Sequence, residues 1–256
     1  MMDWNSAQYL KFKAQRTQPA IDLAARIEAD APSRVLDIGC GPGNSTQVLY
    51  NRFPKAYILG IDNSQNMIDT AKSTYPNLDF MLCDVKNGLT ELSDSFDVIF
   101  SNACIQWIPD HPTLLRNMMA LLAPGGVLAV QIPMNYEEPI HQIITKTASC
   151  PPWADKLSCL RTFYCLRQGE YFDLLSEISS DFAIWQTTYF HKMISHQDIL
   201  EWYRATGLRP YLNALTAHDR PAFEKVIYHA LIRAYPKQKN GEIIFRFPRF
   251  FFTARK

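Results

Sequence analysis

Short apolar runs alternate with helically spaced apolar residues in the first half of the chain. Runs bounded by Gly, Asp or Pro predict strands at RVLDIGCG, YILGIDNS, LDFMLCDV, SFDVIFSNAC and GGVLAVQIP. Between them, TQVLYNRFP, NMIDTAKSTYP and HPTLLRNMMALLAP have the spacing of helices. Strands that alternate with helices are typical of a parallel sheet covered on both faces. The pattern therefore predicts a doubly wound α/β core over residues 31–133.

The pattern changes on either side of this core. Before it, PAIDLAARI predicts a helix that begins at Pro19, a residue suited to a first helical turn. After it, residues 134–182 and 195–241 are predicted to be helical insertions, and AIWQTTYFHKMI between them predicts a strand. The end of the chain, GEIIFRFPRFFFTARK, predicts another strand. No repeat or polar linker divides the chain, which favours a single domain over residues 1–256 with a helical lid.

Composition and charge narrow the classes of partner. The 256 residues are 47% hydrophobic and carry a formal net charge of +1 without a basic run, which disfavours nucleic acid and anionic membranes as partners. The N-terminus has no signal-peptide pattern, and no apolar run approaches the roughly 18 residues of a membrane span. We therefore expect a cytoplasmic protein that needs no membrane and no obligate protein partner.

The cysteines do not have the spacing of a metal site. No CxxC pair and no paired His spacing is present, so we expect reduced thiols and no bound metal. The six residues are Cys40, Cys83, Cys104, Cys150, Cys159 and Cys165.

A glycine-rich loop, VLDIGCGPGNST, follows the first predicted strand. Its glycines Gly39, Gly41 and Gly43 allow a sharp turn and close approach of a ligand to backbone N–H groups at the start of a helix. The spacing is GxGxG, whereas the dinucleotide fingerprint is GxGxxG. Asp37 just before the loop would repel a pyrophosphate but attract an ammonium group. These features favour a ligand with an amino-acid moiety, such as S-adenosylmethionine.

Polar residues also follow the next three strands. Asp62, followed by Asn63, stands about 20 residues after the loop, where an acid accepts hydrogen bonds from ribose hydroxyls. Asp84, followed by Val85, is placed to accept from an adenine amino group. Both aspartates have an alternative role as helix caps. Two further candidates for contact with the cofactor follow the fourth strand, Asn102 and Gln106.

Five ordered motifs resemble those of the class I S-adenosylmethionine-dependent methyltransferases. They are VLDIGCGPG, GIDNS, CDV, DVIFSNACIQWI and LLAPGGVLAV. The resemblance implies a mostly parallel, Rossmann-like sheet of seven strands whose last strand is antiparallel. It also implies S-adenosylmethionine as methyl donor, with S-adenosylhomocysteine as product, and an N-terminal helical segment, residues 1–30, over the active site.

Segments outside the cofactor motifs, among them IQWIPDH, QIPMNYEEPIH and FPRFFFTAR, resemble the members of that family that methylate a small tricarboxylic acid. The segment 147–169 departs from this resemblance. A carboxylate with a pKa of about 4 is already ionised near neutrality, so the reaction needs placement and no catalytic base.

Arginine binds carboxylates through two parallel hydrogen bonds, which makes Arg16, Arg209 and Arg249 candidate substrate contacts. Trp107 is a candidate wall of the acceptor pocket. Tyr189 and His191 share one face of their strand and are candidate hydrogen-bond donors. Each of these residues also has an ordinary structural alternative, as a surface or core side chain.

Three other functions fit parts of the sequence. A methyltransferase for another carboxylic acid or a hydroxylated metabolite shares every cofactor motif, and a hydroxyl acceptor would require a base such as His191. A nicotinamide dehydrogenase is disfavoured by the GxGxG spacing and by Asp37. A module that binds the cofactor without catalysis shares the motifs as well.

Overall fold

The computed structural model describes residues 13–89, 92, 95–157, 160, 163–204 and 206–256. The predicted N-terminal segment is thus described from residue 13 onward, and Cys159 lies outside the described residues. Helix α1 spans Lys13–Ala25 and contains Pro19 in its interior, so the prediction that Pro19 begins the helix was wrong. Burial of an apolar stripe that includes Leu23 offsets the hydrogen bond that the proline cannot donate.

The chain then alternates strand and helix as the apolar pattern predicted. The elements are β1 Arg34–Ile38, α2 Asn44–Arg52, β2 Tyr57–Asp62, α3 Gln65–Thr74, β3 Asp79–Leu82, α4 Val85–Gly88, β4 Phe96–Asn102, a 3-10 turn Ile105–Trp107, α5 His111–Ala120 and β5 Leu122–Pro133.

Helices dominate the rest of the chain, with two long strands among them. The elements are α6 Pro139–Ala148, α7 Ala154–Leu157, α8 Gln168–Ile178, β6 Phe182–Met193, α9 His196–Arg204, α10 Arg209–Ala214, α11 Asp219–Ala234 and β7 Ile243–Arg255.

The seven strands form one sheet in the order β3-β2-β1-β4-β5-β7-β6. Strand β1 pairs in parallel with β2 and β4, β2 with β3, and β4 with β5. Strand β7 pairs antiparallel with β5. The predicted mostly parallel sheet of seven strands is confirmed, and so is its antiparallel last strand.

The chain forms two compact units. Of the described residues, the first unit contains those within 1–133, 163–187 and 249–256, and the second contains those within 134–162 and 188–248. The predicted insertion 134–182 is therefore divided, because residues 163–182 belong to the first unit. One contact that connects this segment to the first unit is the His111–Tyr171 pair: the Tyr171 hydroxyl on α8 lies 2.5 Å from His111 Nδ1 on α5, and both residues are buried.

Each unit has its own buried core. In the first, Phe96, Phe100 and Phe251 are buried, and the Trp185 ring stacks on Phe251 with a centroid distance of 5.2 Å. In the second, the buried Trp202 packs against the ring of Phe245 at 5.8 Å. Within the described residues, no helix is both long and apolar enough to cross a membrane.

The contact between α5 and α8 predicts the effect of one substitution. In Tyr171→Phe, the buried His111 Nδ1 loses its hydroxyl partner, so we expect the free energy of unfolding to fall by about 1–2 kcal/mol. Urea unfolding measures this change. The control Tyr50→Phe removes a hydroxyl from a side chain that is 40% exposed and should change stability by less than about 0.5 kcal/mol. Equal urea midpoints for Tyr171→Phe and wild type would contradict the assignment.

Candidate active site

The glycine loop connects β1 to α2 and has a packed side and an open side. Gly39 has φ 74°, and a Cβ there would lie 2.2 Å from Cys104 Sγ, so the loop backbone packs directly on that side chain. Gly41 has φ 54°, and a Cβ there would meet nothing within 4 Å. Gly43, with φ 89°, caps the start of α2. The loop is therefore fixed to the protein at Gly39 and faces open space at Gly41.

Asp37 is completely buried at the end of β1. Its Oδ2 accepts hydrogen bonds from the Ser45 hydroxyl at 2.6 Å and the Thr46 hydroxyl at 2.7 Å, both in the first turn of α2. Its Oδ1 is buried and accepts no hydrogen bond from the described part of the chain. Burial raises the pKa of the Asp37 carboxyl to about 6, although the two hydroxyls act in the opposite direction. Asp37 Oδ1 is therefore available to accept a hydrogen bond from a cationic ligand.

Asp62 ends β2 and has two backbone partners. Its Oδ2 accepts from the Gly41 N–H at 3.0 Å, and its Oδ1 accepts from the Ser64 N–H at 2.9 Å. Sequence reasoning predicted a ribose contact or a helix cap for this residue and missed the bond to the glycine loop. Asp62 therefore holds the loop at Gly41, the position that faces open space. The adjoining Asn63 is exposed.

Asp84 caps helix α4, which is the alternative role that the sequence analysis gave it. Its side chain accepts from the Lys86 N–H at 3.1 Å at the start of α4, and the following Val85 is buried. The hydrogen bond accounts for one carboxylate oxygen. The proposed contact between Asp84 and adenine stays a prediction.

Asn102 and Gln106 bring two further acceptor atoms to the end of β4. Asn102 Oδ1 and Gln106 Oε1 are buried and accept no hydrogen bond from any described residue. Gln106 Nε2 donates to the Ala103 carbonyl at 2.7 Å, which fixes the direction of its amide. The Gln106 carbonyl accepts from the Tyr164 N–H at 2.9 Å. The segment that begins at residue 163 thus holds this turn in place.

The candidate substrate residues of the first unit are mostly buried. Arg16 on α1 is 5% exposed and Arg249 on β7 is 4% exposed, so neither is an ordinary surface arginine. Trp107 is half-buried, and its ring lies 4.8 Å from that of Phe163.

Arg249 Nη1 donates to Gln131 Oε1 at 3.1 Å. Gln131 was missed by sequence reasoning, although it is the only polar residue in the run VLAVQI, where a buried polar side chain signals a special role.

The other three candidates lie in the second unit. Tyr189 and His191 share a strand face as predicted, with ring centroids 6.1 Å apart. His191 is buried, and its ring lies 5.0 Å from that of Trp202, in an aromatic cluster that favours its structural alternative. Arg209 is half-buried at the first position of α10. Contact of these residues with an acceptor stays a prediction.

The first-unit residues fit S-adenosylmethionine. Its methionine ammonium needs hydrogen-bond acceptors, and Asp37 Oδ1 and Asn102 Oδ1 are buried acceptors without a described donor. The open space at Gly41 allows a ligand to approach the backbone. Burial raises the pKa values of the Cys40 and Cys104 thiols, which keeps them protonated and unreactive. Among the described residues, no group of three or more His, Cys, Asp or Glu side chains is placed to hold a metal ion.

The raised pKa of Asp37 predicts a pH dependence of cofactor binding. Only the ionised carboxylate attracts an ammonium, and its fraction falls as pH drops through about 6. We expect the Kd of S-adenosylhomocysteine, measured by calorimetry, to rise roughly tenfold per pH unit below that value. Asp37→Asn should bind weakly with a flatter profile between about pH 5 and 8. Parallel profiles for the two proteins would contradict the role of Asp37.

The two bonds of Asp62 predict that its loss damages cofactor binding more than the fold. Asp62→Ala should weaken S-adenosylhomocysteine binding by more than roughly 100-fold, because the predicted ribose acceptors and the hydrogen bond to the Gly41 N–H disappear together. Far-UV circular dichroism should remain that of wild type. Asp69→Ala, which removes an exposed carboxylate on α3, is the matched control and should bind normally. Unchanged affinity in Asp62→Ala would refute the assignment.

Comparison with known proteins identifies the family. A family profile described as a methyltransferase domain matches residues 35–126. Trans-aconitate 2-methyltransferases from Methylobacterium nodulans and Escherichia coli O139:H28 are 44% and 43% identical to the chain, over 100% of it and 99% of each relative. The crystal structure of YcgJ protein from Bacillus subtilis shares the fold, with a TM-score of 0.59 and 17% identity over 93% of this chain and 98% of that one. At such identity over its full length, the chain belongs to the trans-aconitate 2-methyltransferase family of class I S-adenosylmethionine-dependent methyltransferases.

Proposed function

We propose that this protein transfers a methyl group from S-adenosylmethionine to one carboxylate of trans-aconitate, giving the monomethyl ester and S-adenosylhomocysteine. The observation that supports this most strongly is identity of 43% to 44% with enzymes of that name across the whole chain. The similarity therefore extends well beyond residues 35–126, which match the general methyltransferase profile. We further propose that the enzyme acts in the cytoplasm without an obligate protein partner.

The proposed cofactor contacts lie at the carboxyl ends of the parallel strands, where ligands of open α/β sheets bind. Asp37 would hold the ammonium, Asp62 the ribose, and Asn102 and Gln106 would add acceptors beneath the ligand. The remaining proposed contacts are Gly39, Gly41, Gly43, Asn63, Asp84 and Val85.

Methyl transfer to a carboxylate requires mainly that the protein place the carboxylate oxygen next to the methyl carbon. An ionised carboxylate oxygen forms a bond to the methyl carbon while the bond from that carbon to the sulfonium breaks, and the electron pair stays on sulfur. No proton moves, so no side chain is required as a base. Buried cations hold anionic acceptors strongly because little water screens them. Arg16 and Arg249 are the proposed cations in the first unit, with Trp107 as a proposed pocket wall.

A methyl-transfer assay tests the function directly. Labelled S-adenosylmethionine is offered with trans-aconitate, cis-aconitate, citrate and isocitrate in separate reactions. We expect base-labile ester label mainly with trans-aconitate. Label on none of these acids, from protein that binds S-adenosylhomocysteine, would contradict the proposed acceptor and leave the cofactor assignment intact.

A further inference from the structure

Polar side chains form a row across one face of the sheet at the carboxyl ends of β1, β4 and β5. Asp37 is paired in register with Phe100, and Asn102, two residues further along β4, is paired with Gln131 on β5. Residues paired across neighbouring strands point to the same face, and so do residues two apart. Asp37, Asn102 and Gln131 therefore share a face.

Arg249 extends this row onto β7. Gln131 is paired with Phe251, and Arg249 lies two residues from Phe251 on the same strand. The Arg249 side chain thus shares the face of Gln131, in agreement with the 3.1 Å bond between them. The row runs from a carboxylate at Asp37 to a cation at Arg249.

The bond to Arg249 fixes the direction of the Gln131 amide. A guanidinium only donates hydrogen bonds, so the atom that faces it must be the amide oxygen. The amide nitrogen then points away from Arg249. Gln131 is fully buried, and its Nε2 donates to no described residue. Buried donors are nearly always paired, so this donor indicates a ligand that brings an acceptor atom.

The position of the donor indicates which ligand it is. Asp37 and the glycine loop lie two strands away from β5, a distance of about 10 Å at the usual strand spacing. The Asp37 end of the row has a buried carboxylate oxygen, which suits the ammonium of the methyl donor, and Asn102 lies between Asp37 and Gln131. The Gln131 end has an N–H donor beside a guanidinium, which suits an anion. The row therefore offers separate places to a cationic and an anionic group.

We propose that Gln131 determines acceptor specificity by donating a hydrogen bond from Nε2 to a carboxylate of the acceptor acid. Arg249 positions the amide for this bond. The identity of the acceptor acid rests on the proposed function. The location of the contact rests on the hydrogen bond between Arg249 and Gln131.

The decisive variant is Gln131→Glu. Glutamate keeps the length of the side chain and an oxygen for Arg249, but it removes both N–H donors and adds a charge that repels a carboxylate. We expect the KM for trans-aconitate to rise at least roughly tenfold, while the Kd of S-adenosylhomocysteine stays within about twofold of wild type. Calorimetric titration of trans-aconitate into protein saturated with S-adenosylhomocysteine should show the same loss without turnover.

Two further variants control the experiment. Gln131→Met has a similar volume and no added charge, but it also lacks the N–H donors. It should therefore raise the KM for trans-aconitate as well, and it tests the contact even if the buried glutamate of Gln131→Glu disturbs folding. Gln168→Glu makes the same chemical change at an exposed position of the first unit and should leave both constants unchanged.

Two outcomes would overturn the proposed contact of Gln131, and a third would overturn the proposed function. A KM for trans-aconitate that is unchanged in both Gln131 variants would overturn the proposed contact. A weakened S-adenosylhomocysteine affinity with an unchanged KM would assign the amide to the cofactor and overturn it equally. Wild-type protein that methylates none of the acids would overturn the proposed function, which is a separate result because it requires no variant.

Discussion

The burial of one carboxylate governs the candidate site. Asp37 lies near the end of the interior strand β1 with no solvent access, and a charge there is stable only when it is hydrogen-bonded. The hydroxyls of Ser45 and Thr46 supply those bonds, and both belong to the first turn of α2. Satisfying the carboxylate therefore fixes the start of α2 against β1 and determines the path of the glycine loop between them. One oxygen is left for a ligand cation.

The rest of the site extends this arrangement across the sheet. Asp62, on the neighbouring strand β2, holds the loop from the other side through the Gly41 N–H. Asn102 and Gln131 continue the polar row on β4 and β5, and Arg249 ends it on β7. A parallel sheet buries its apolar residues on both faces, so polar side chains are tolerated mainly at the strand ends. That constraint concentrates donors and acceptors where a charged methyl donor and an anionic acid would meet.

Local patterns were enough to predict the core of the fold and the cofactor loop. The strand, turn and helix around Gly39 to Gly43 are encoded within one short segment. The positions of Asp62 and Asp84 at strand ends follow from the same alternation of strands and helices. The sequence could not predict contacts between distant segments. Gln131 contacts a residue 118 positions away, and the pairing of Tyr171 with His111, one contact between residues 163–182 and the rest of the first unit, spans 60 positions. Pro19 was misjudged because tertiary burial outweighed a local rule.

The central claim is that the polar row binds cationic and anionic groups at opposite ends. A crystal structure of the protein with S-adenosylhomocysteine and trans-aconitate tests it most directly. The account predicts the methionine ammonium within hydrogen-bond distance of Asp37 and an acid carboxylate oxygen within about 3.2 Å of Gln131 Nε2. A complex in which the acid lies away from Gln131, or in which the methionine carboxylate occupies that amide, would contradict it.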